Sequence, residues 1–431
     1  MSPLIVGGIG FVLLLGLMAI GMPIGFAMGL TGVLGVWYLA NLGAALGPLG
    51  NVYHTAANFS FSVVPLFVFM GVVAFHAGLS KDLYNAAHKW VGHWPGGLAM
   101  ATVVACAGFA AICGSSAATT ATVGHVVIPE MRARKYAPTL ASGCVAAGGT
   151  LGILIPPSIA MVLYAMLTEE SIGKLLIAGM IPGILLASGF MMAIYIMVKR
   201  NPSLAPPSPA STYRERFASL KSIWGVGLVM VAVIGGIYMG FFTANEAAGI
   251  GAFLVLLVSM ARRGVTWKSL FASLKETGTT TSMLISILIG AIIFNNFMAL
   301  SHIPQELAKF IVSLEMSRYL ILAGVIFIYI ILGCLMDAIT MIILTVPIFY
   351  PIMVGLDFSG IWFGVMIVLV IEQAGITPPV GVNVFILAGV VKDIPLVTIF
   401  RGIVPFFFVM IIFMVIMTIF PQLALFLPST M

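Results

Sequence analysis

The sequence predicts an all-α integral membrane protein, an inverted repeat of about ten transmembrane helices with two re-entrant hairpins and two broken helices. Of the 431 residues, 61% are apolar and only 7% are charged, whereas soluble domains carry about 25% charged residues. Apolar runs of about 20 residues recur along the chain, the length that a membrane-spanning helix needs. Polar interruptions divide these runs at corresponding places in the two halves.

The interruptions are the most informative feature of the sequence. Ile155-Pro156-Pro157-Ser158 breaks one apolar span, and Ile376-Thr377-Pro378-Pro379 breaks another. About forty residues upstream of each lies a polar break, at Gly114-Ser115-Ser116 in the first half and at Gly333 to Asp337 in the second. Irregular backbone at membrane depth persists only where it is buried in protein or lines a cavity. Paired breaks of this kind point to the binding site of a secondary transporter.

Basic residues orient the elements of the first half. The polar stretch 199–221 holds five lysines and arginines, which places it in the cytoplasm. Working backwards, 175–198 crosses inward, and 140–166, broken at its Pro-Pro motif, crosses outward. The segment 97–131 then has both ends on the cytoplasmic side. This predicts a re-entrant hairpin with Gly114-Ser115-Ser116 near its tip.

The second half has the opposite orientation. Two spans within 223–261 leave and re-enter the cytoplasm, and 277–300 crosses outward again. Residues 319–353 have external flanks, so this second hairpin is predicted to enter from the outer face. Segment 361–391, broken at its Pro-Pro motif, crosses inward, and 396–420 crosses out. Both termini are therefore expected outside.

The two halves align at separations of about 220 residues, with Pro129 against Pro347 and Pro157 against Pro379. Because one hairpin opens inward and the other outward, the predicted repeat is inverted. The simpler alternative is that each hairpin segment is a single tilted span, which hydropathy alone does not distinguish.

Small and oxygen-bearing residues mark the interruptions. In the first hairpin, the run Gly114 to Thr122 offers glycines, hydroxyls and freed carbonyls as hard oxygen ligands for a dehydrated alkali cation. Carbonyls at the end of a broken half-helix favour a cation as well. The alternative is that small residues only let helices pack closely. The predicted cation-binding residues are Gly114, Ser115, Ser116, Thr119, Gly149, Thr150, Gly333, Asp337, Gly375 and Thr377.

The second half of each broken helix begins with unpaired N–H groups, which favour an anion. Sodium and a carboxylate can therefore share one site, and Ser158 and Asn383, just beyond the breaks, are candidate donors to that carboxylate. A simple proline kink is the alternative for either break alone. The predicted substrate-binding residues are Ser116, Pro156, Ser158, Pro378 and Asn383.

Few ionisable side chains lie at membrane depth. Asp337 is the leading candidate, because a charge there is costly unless it is paired, and it is expected to ligate sodium or to orient the hairpin tip. The sequence leaves three roles open for Glu372, which are a second ligand, a proton site and a structural partner. His125 and Glu130, on the returning arm of the first hairpin, are expected to be satisfied polar residues rather than a proton relay.

Several function classes find no support in the sequence. None of the six histidines has metal-ligand spacing, and no HExxH, P-loop or GxSxG motif occurs, which argues against ATPase and hydrolase chemistry. No cofactor is expected besides sodium as the coupling ion. Four cysteines without CxxC spacing are interpreted as small core residues. They are Cys106, Cys113, Cys144 and Cys334.

Several motifs in order resemble the large membrane subunit of tripartite ATP-independent periplasmic (TRAP) transporters. They are Ile20 to Ala27, Gly114 to Thr119, Gly235 to Ala248 and the two Pro-Pro breaks. The resemblance covers essentially the whole chain. One departure is Thr243-Ala244-Asn245-Glu246-Ala247, where the family usually reads Thr-Pro-Thr-Glu-Ala, at a predicted outer turn.

The resemblance implies a sodium-coupled importer of a small organic anion, such as a C4-dicarboxylate or sialic acid, in a bacterial inner membrane. Such subunits pair with a small four-helix membrane subunit, expected here as a separate chain. They receive substrate from a soluble periplasmic binding protein. Their transport domain moves as an elevator against a fixed scaffold.

Carried onto this chain, the resemblance divides it into five segments. Residues 1–80 and 222–318 would form the scaffold, residues 81–198 and 319–431 the two transport halves, and 199–221 the cytoplasmic linker. Each transport half would hold one hairpin and one broken helix.

Three other function classes differ from this one in the features that they require. A stand-alone sodium- or proton-coupled carboxylate symporter, or an ion antiporter, would have similar hairpins but need no binding protein. A passive channel would need a continuous polar stripe along several helices, whereas polar residues here concentrate at the two mirrored breaks. A membrane enzyme would need a nucleophile and a base in a matched pattern, and the sequence shows none.

Overall fold

The computed structural model describes residues 2–50, 53, 57–313, 316–333 and 336–431. Within these ranges the secondary structure is helical and contains no strand. Eight helices of the described part are long and apolar enough to cross a membrane. They are Phe59–His76, Pro138–Thr168, Ile172–Arg200, Tyr213–Tyr238, Ala244–Ala261, Trp267–Ser301, Ala338–Gly355 and Leu396–Ile419.

The first half of the chain forms helices α1 to α12, with a short 3-10 helix before α4. The bounds are α1 (Pro3–Ala19), α2 (Ile24–Leu39), α3 (Leu42–Gly50), α4 (Val63–His76), α5 (Leu79–Val91), α6 (Gly97–Cys113), α7 (Ser116–Ala133), α8 (Pro138–Gly149), α9 (Leu151–Leu154), α10 (Ile159–Thr168), α11 (Ile172–Ala178) and α12 (Met180–Arg200).

The second half forms helices α13 to α23, and a π-helical turn at Val231–Gly235 joins α13 to α14. The bounds are α13 (Tyr213–Met230), α14 (Gly236–Tyr238), α15 (Ala244–Ala261), α16 (Trp267–Ser301), α17 (Ile303–Ser313), α18 (Arg318–Leu332), α19 (Ala338–Gly355), α20 (Gly360–Ala374), α21 (Val382–Val390), α22 (Leu396–Ile419) and α23 (Gln422–Ser429).

Each predicted hairpin segment forms two helices that pack against each other, so a single tilted span is wrong for both. α6 ends at Cys113 and α7 begins at Ser116. α18 ends at Leu332 and α19 begins at Ala338. Cys334 and Leu335, between α18 and α19, lie outside the described residues. The 17 residues of α6 extend about 25 Å, short of the roughly 30 Å hydrocarbon core of a bilayer.

Both spans that were predicted to be broken are interrupted at their Pro-Pro motifs. α9 ends before the first motif and α10 begins after it, and α20 and α21 flank the second in the same way. The peptide bonds Pro156-Pro157 and Pro378-Pro379 are both cis. The first motif is buried inside the protein, whereas the prolines of the second are exposed.

The predicted linker at 199–221 is shorter in the structure, because α13 begins at Tyr213. A capping box starts this helix: the Glu215 N–H donates to the Thr212 hydroxyl, and the Thr212 N–H donates to the Glu215 carboxylate. Arg214 and Arg216 therefore belong to the first turns of a helix and not to a loop.

Small residues let the helices approach closely and form two packed groups. The first, called the α16 group, consists of α2, α4, α15 and α16. Within it, a Cβ atom at Gly25 or Gly290 would overlap the backbone of the facing helix. The second, called the hairpin group, includes α6 to α8 and α22, where Gly143 meets the backbone of Gly402. Contacts between small residues are a usual packing mode of membrane helices.

The amphipathic helix α5 connects the two groups. Tyr84 on its apolar face is buried, and the helix packs against α6. On its polar face, Asp82 forms an ion pair with Arg262 at the end of α15. Lys89 lies 3.8 Å from the Glu215 carboxylate of α13. These contacts hold α5 beside both groups.

Candidate functional site

The tips of both hairpins and the second broken helix meet at a cavity of about 120 Å³. The first broken helix contributes Ile153 to its wall, and Glu372 lines it from α20. The structure therefore brings residues of all four interrupted elements to one place. Six of the residues predicted for cation or substrate binding line this cavity. They are Ser115, Ser116, Gly333, Asp337, Gly375 and Asn383.

The other predicted residues lie outside the wall of this cavity, and the hydroxyls of all four serines and threonines among them form hydrogen bonds with nearby residues of the chain. Thr119 donates to the Ser115 carbonyl at 2.8 Å, and Thr377 donates to the Gln373 carbonyl at 2.6 Å. The residues outside the wall are Gly114, Thr119, Gly149, Thr150, Pro156, Ser158, Thr377 and Pro378.

Gly114 closes the tip of the first hairpin. Its φ of +64° lies in the left-handed region that favours glycine. A Cβ atom there would lie 2.7 Å from the Pro157 carbonyl oxygen. The next residue, Ser115, caps α7 because its side chain accepts a hydrogen bond from the Ala118 N–H at 3.4 Å. The tip is thereby held against the first break, with Ser115 and Ser116 at the cavity.

Asp337 caps α19 at the tip of the second hairpin. One carboxylate oxygen accepts from the N–H groups of Ile339 at 3.1 Å and Thr340 at 3.4 Å, and the other accepts from the Thr340 hydroxyl. The positive end of the helix dipole stabilises a carboxylate in this position. The sequence leaves two roles open for Asp337, sodium ligation and orientation of the hairpin tip. The observed contacts are those expected of a residue that orients the tip. Cation ligation by Asp337 stays a prediction.

The first break packs behind the first hairpin. Ser158 is fully buried, and its hydroxyl accepts from the Met161 N–H at 3.2 Å, so it caps α10. Thr150 donates to the Ala147 carbonyl at 2.6 Å. Thr120 of the hairpin packs against Gly149, and its buried hydroxyl has no hydrogen-bond partner within the described ranges. Thr120 belongs to the polar run Gly114 to Thr122 but is not among the predicted site residues.

The second break is open to the cavity. Gly381, at a φ of +59°, precedes α21 and offers no side-chain cap. The Asn383 N–H donates to the Gly375 carbonyl at 3.0 Å. The Asn383 side-chain amide donates to the Glu372 carboxylate at 3.5 Å. Asn383 therefore reaches the cavity, whereas Ser158 at the first break turns back to cap its own helix.

Glu372 lines the cavity although it was outside the predicted set. The residue is 3% exposed, and its carboxyl group interacts with the Ser116 hydroxyl as well as with Asn383. It thereby connects the first hairpin to the second broken helix. The signal in the sequence was an acidic residue inside an apolar helix. Of the three roles left open, its contacts are those of a structural partner.

The polar residues of the returning arm of the first hairpin lie away from the cavity. Glu130 has partners, as predicted: it lies 3.9 Å from His88 and 3.4 Å from Arg134. His125 is exposed. No cluster of three potential metal ligands from His, Cys, Asp and Glu occurs in the described part of the chain. Three cysteines, all buried and free, are Cys106, Cys113 and Cys144.

The cavity is acidic. Asp337 and Glu372 both line it, and no lysine, arginine or histidine occurs among its described lining residues. The ionisable side chains of this lining are therefore both acidic.

Comparison with known proteins gives the family. The "Tripartite ATP-independent periplasmic transporter, DctM component" family matches residues 11–423. The chain belongs to this family. The resemblance seen in the motifs is thus confirmed for the DctM component over nearly the whole chain, which is a multi-pass membrane protein with eight candidate spans in its described part.

Relatives of this DctM-family chain are named as transporter permeases. The C4-dicarboxylate TRAP transporter large permease protein DctM of Pseudomonas aeruginosa is 38% identical over 88% of each chain. The sialic acid TRAP transporter large permease protein SiaM of Vibrio cholerae is 31% identical over 96% of each chain. The isethionate TRAP transporter permease protein DctMQ of Oleidesulfovibrio alaskensis is 32% identical over 86% of this chain and 59% of its own length.

The fold also has a likeness among solved structures. The crystal structure of the YdaH transporter of Alcanivorax borkumensis, described as having an unusual topology, superposes with a TM-score of 0.64. The alignment covers 89% of this chain and 90% of that one at 12% identity. At this identity the likeness concerns the fold alone.

Proposed function

We propose that this chain is the large membrane subunit of a tripartite transporter that imports a small organic anion together with sodium ions. The observation that carries the proposal is the acidic cavity at the meeting point of the interrupted helices. Its two carboxyl groups, Asp337 and Glu372, are not balanced by a basic residue among the described lining. Bound cations would supply the missing positive charge.

The residues behind the first hairpin and those at the cavity suit the two ligands. The buried hydroxyl of Thr120, unpaired within the described ranges, lies beside Gly149, where the sequence predicts a cation. An unpaired oxygen at such a position favours ligation of a hard cation, since a buried polar group otherwise goes unsatisfied. At the cavity itself, α21 begins without a side-chain cap. Its N-terminus favours the carboxylate of a substrate.

The membrane potential then contributes to uphill import. Moving one positive charge down a potential of 100 mV releases about 2.3 kcal/mol. Two sodium ions that accompany one monovalent anion would carry that net charge inward and add the sodium gradient to it. Transport would therefore proceed without ATP.

We infer an elevator movement of the hairpin group, together with the second hairpin and both broken helices, against the α16 group. The inference is supported by the division into two packed groups that α5 connects. It is also supported by the correspondence of the two hairpins and two Pro-Pro breaks, which an inverted repeat would produce. In this arrangement the two hairpins would re-enter from opposite faces of the inner membrane.

The partners follow from the family. The large subunit would pair with a small membrane subunit and accept substrate from a periplasmic binding protein. The relative named DctMQ shows in its name that both membrane components can share one chain. We propose that here the small subunit is a separate chain.

The proposal is tested by uptake into proteoliposomes that contain this chain and its small subunit. Radiolabelled succinate, N-acetylneuraminate and isethionate serve as probes, with and without the matching binding protein, under an inward sodium gradient. We expect uptake of one probe that requires both sodium and the binding protein. Uptake that ignores the binding protein would support the stand-alone symporter instead. Uptake driven by a proton gradient without sodium would contradict the sodium-coupled mechanism.

A variant of the cavity sharpens this test. Glu372→Gln keeps the size of the side chain and an oxygen acceptor for Asn383, but removes an ionisable carboxyl group from the cavity. We expect it to raise the sodium concentration for half-maximal uptake several-fold, because a cavity that keeps only the Asp337 carboxylate attracts cations less strongly. Glu306→Gln is the matched control, since Glu306 lies on the exposed helix α17, paired with Lys309.

A further inference from the structure

A long apolar groove of about 600 Å³ runs between α18, the first helix of the second hairpin, and α22. One wall extends from Tyr319 to Ile330, and the other extends from Ile411 to Ile419. The two hydroxyls of the lining are engaged. Thr418 donates to the Met414 carbonyl at 2.8 Å, and the Tyr319 hydroxyl accepts from Arg318 at 3.2 Å. The interior therefore suits an alkyl chain.

A cationic platform stands at one end of this groove. The guanidinium carbon of Arg318 lies 5.1 Å from the centroid of the Tyr319 ring and 5.4 Å from that of Phe358. Phe358 stacks on Trp362 with ring centroids 5.2 Å apart. The Trp362 indole N–H donates to the Met417 carbonyl on α22 at 2.9 Å. The platform therefore joins both walls of the groove.

The charge of Arg318 is available to a ligand. The residue is exposed, and the ion pairs between described residues do not include it. Asp357, which is next to Phe358 in the sequence, does not form an ion pair with Arg318. Stacking on aromatic rings holds the guanidinium in place, and its planar donors match the oxygens of a phosphate group.

The length of the groove fits one leaflet of a bilayer. Tyr319 and Ile330 are about 16 Å apart along α18 at 1.5 Å per residue, which is about half of the roughly 30 Å hydrocarbon core. In the predicted topology, α18 begins at the outer face of the membrane. A molecule in the groove would thus reach from that surface to the middle of the bilayer.

We propose that this groove binds one anionic phospholipid of the outer leaflet, with its phosphate at Arg318 and an acyl chain between α18 and α22. Charge complementarity at Arg318 and the apolar interior select this occupant over a protein helix. The bound lipid would pack the membrane-facing arm of the second hairpin against α22. This lipid site does not depend on which substrate the protein transports.

Native mass spectrometry of the purified full chain, titrated with phosphatidylglycerol, tests the proposal. We expect one lipid to be retained at the lowest lipid concentrations. Arg318→Gln removes the charge, and Ala323→Trp fills the groove. Arg318→Gln is expected to weaken retention about fivefold, as for loss of one basic contact with an anionic lipid. Ala323→Trp is expected to weaken it by excluding the acyl chain. Lys174→Gln and Phe327→Trp change exposed positions outside the groove and are expected to leave retention unchanged.

A second measurement covers the case in which a groove variant does not fold. A photoactivatable crosslinker attached to Ala323→Cys in native membranes is expected to label phospholipid. Retention by Arg318→Gln and Ala323→Trp equal to that of the controls would overturn the proposal. Crosslinking to a second copy of this chain or to a small membrane subunit would overturn it as well.

Discussion

Ser115 and Asp337 occupy corresponding places in the two hairpins. Each directly precedes the returning helix, and each side chain accepts hydrogen bonds from the first turn of that helix. Both also line the cavity. A residue that caps a helix has its side chain at the tip of the hairpin, so the capping contact places its oxygen where the interrupted elements meet. Ser115 and Asp337 thus cap a helix and line the cavity for the same reason, because each directly precedes the returning helix of its hairpin.

Replacing Asp337 tests this double role. Asp337→Ala removes the acceptor of three hydrogen bonds and is expected to cost about 0.5–2 kcal/mol of stability, as for other helix caps. It is also expected to abolish most of the sodium-dependent uptake. Asp337→Asn keeps an oxygen acceptor, so it should be closer to the parent in stability while it lacks the charge. Thermal unfolding and proteoliposome uptake measure the two effects.

The matched control is Ser317→Ala, which removes the cap at the other end of the same hairpin. Ser317 accepts from the Leu320 N–H at 3.3 Å and does not line the cavity. We expect a comparable loss of stability without loss of uptake per folded molecule. Equal uptake by Asp337→Ala and Ser317→Ala would show that Asp337 acts only as a cap.

At the scale of elements, α5 is held by polar contacts to three other helices. Asp82 pairs with Arg262 of α15, and His88 lies 3.9 Å from Glu130 of α7. Lys89 approaches α13. A helix that touches both packed groups transmits movement between them, so the contacts of α5 bear on the proposed elevator step.

His88 makes this region sensitive to pH. Burial, and next the positive charge of Arg134, lower the pKa of the His88 imidazole below its usual value. The unfolded chain, with a histidine pKa of about 6.5, then binds a proton more readily than the folded one. Stability is therefore expected to fall as the pH drops below about 6.5. Melting temperatures at about pH 7.5 and pH 5.5 measure this loss.

His88→Gln is expected to remove part of that loss, because glutamine does not titrate. His93→Gln serves as the control, since His93 lies on the nearby turn, 3.5 Å from Arg216. If His88→Gln loses as much stability on acidification as the parent does, His88 is not the titrating group.

At the scale of the whole molecule, the α16 group and the hairpin group meet at close backbone contacts. A Cβ atom at Gly71 of α4 would lie 2.9 Å from the Cys113 backbone at the tip of the first hairpin. Movement of one group past the other requires a smooth contact, and a glycine provides it. The same residue type serves a different purpose at Gly290, where it brings two helices of one group together.

Gly71→Val tests the contact between the groups. The added side chain would overlap the Cys113 backbone, which should cost about 1–3 kcal/mol of stability, as for other overpacked sites, and slow uptake strongly. Gly278→Ala is the control, because a Cβ atom there has no neighbour within 4 Å. Uptake by Gly71→Val at the rate of the parent would contradict a sliding contact at this position.

Much of the fold was predictable because it depends on local chemistry. Composition determines the membrane class, and a Pro-Pro motif or a cluster of glycine and polar residues interrupts an apolar helix, whereas single prolines such as Pro129 are accommodated within one. The positions of both hairpins and both breaks were therefore predicted to within a few residues. The start of α13 was missed because its capping box lies inside a stretch that looked like a linker. The division into scaffold and transport domains, and the cation ligands, stay predictions.

The tertiary structure decided which residues line the cavity. Ser158 and Asn383 look alike in sequence, each a polar residue just beyond a Pro-Pro break, yet Ser158 caps α10 and Asn383 faces the cavity. Glu372 is part of the wall, where it contacts Ser116, which is distant in the sequence, and Asn383, which lies beyond the break. The sequence alone determined where the backbone is interrupted, because that depends on neighbouring residues. Only the tertiary structure decided which side chains line the cavity, because that depends on helices packed together from distant parts of the chain.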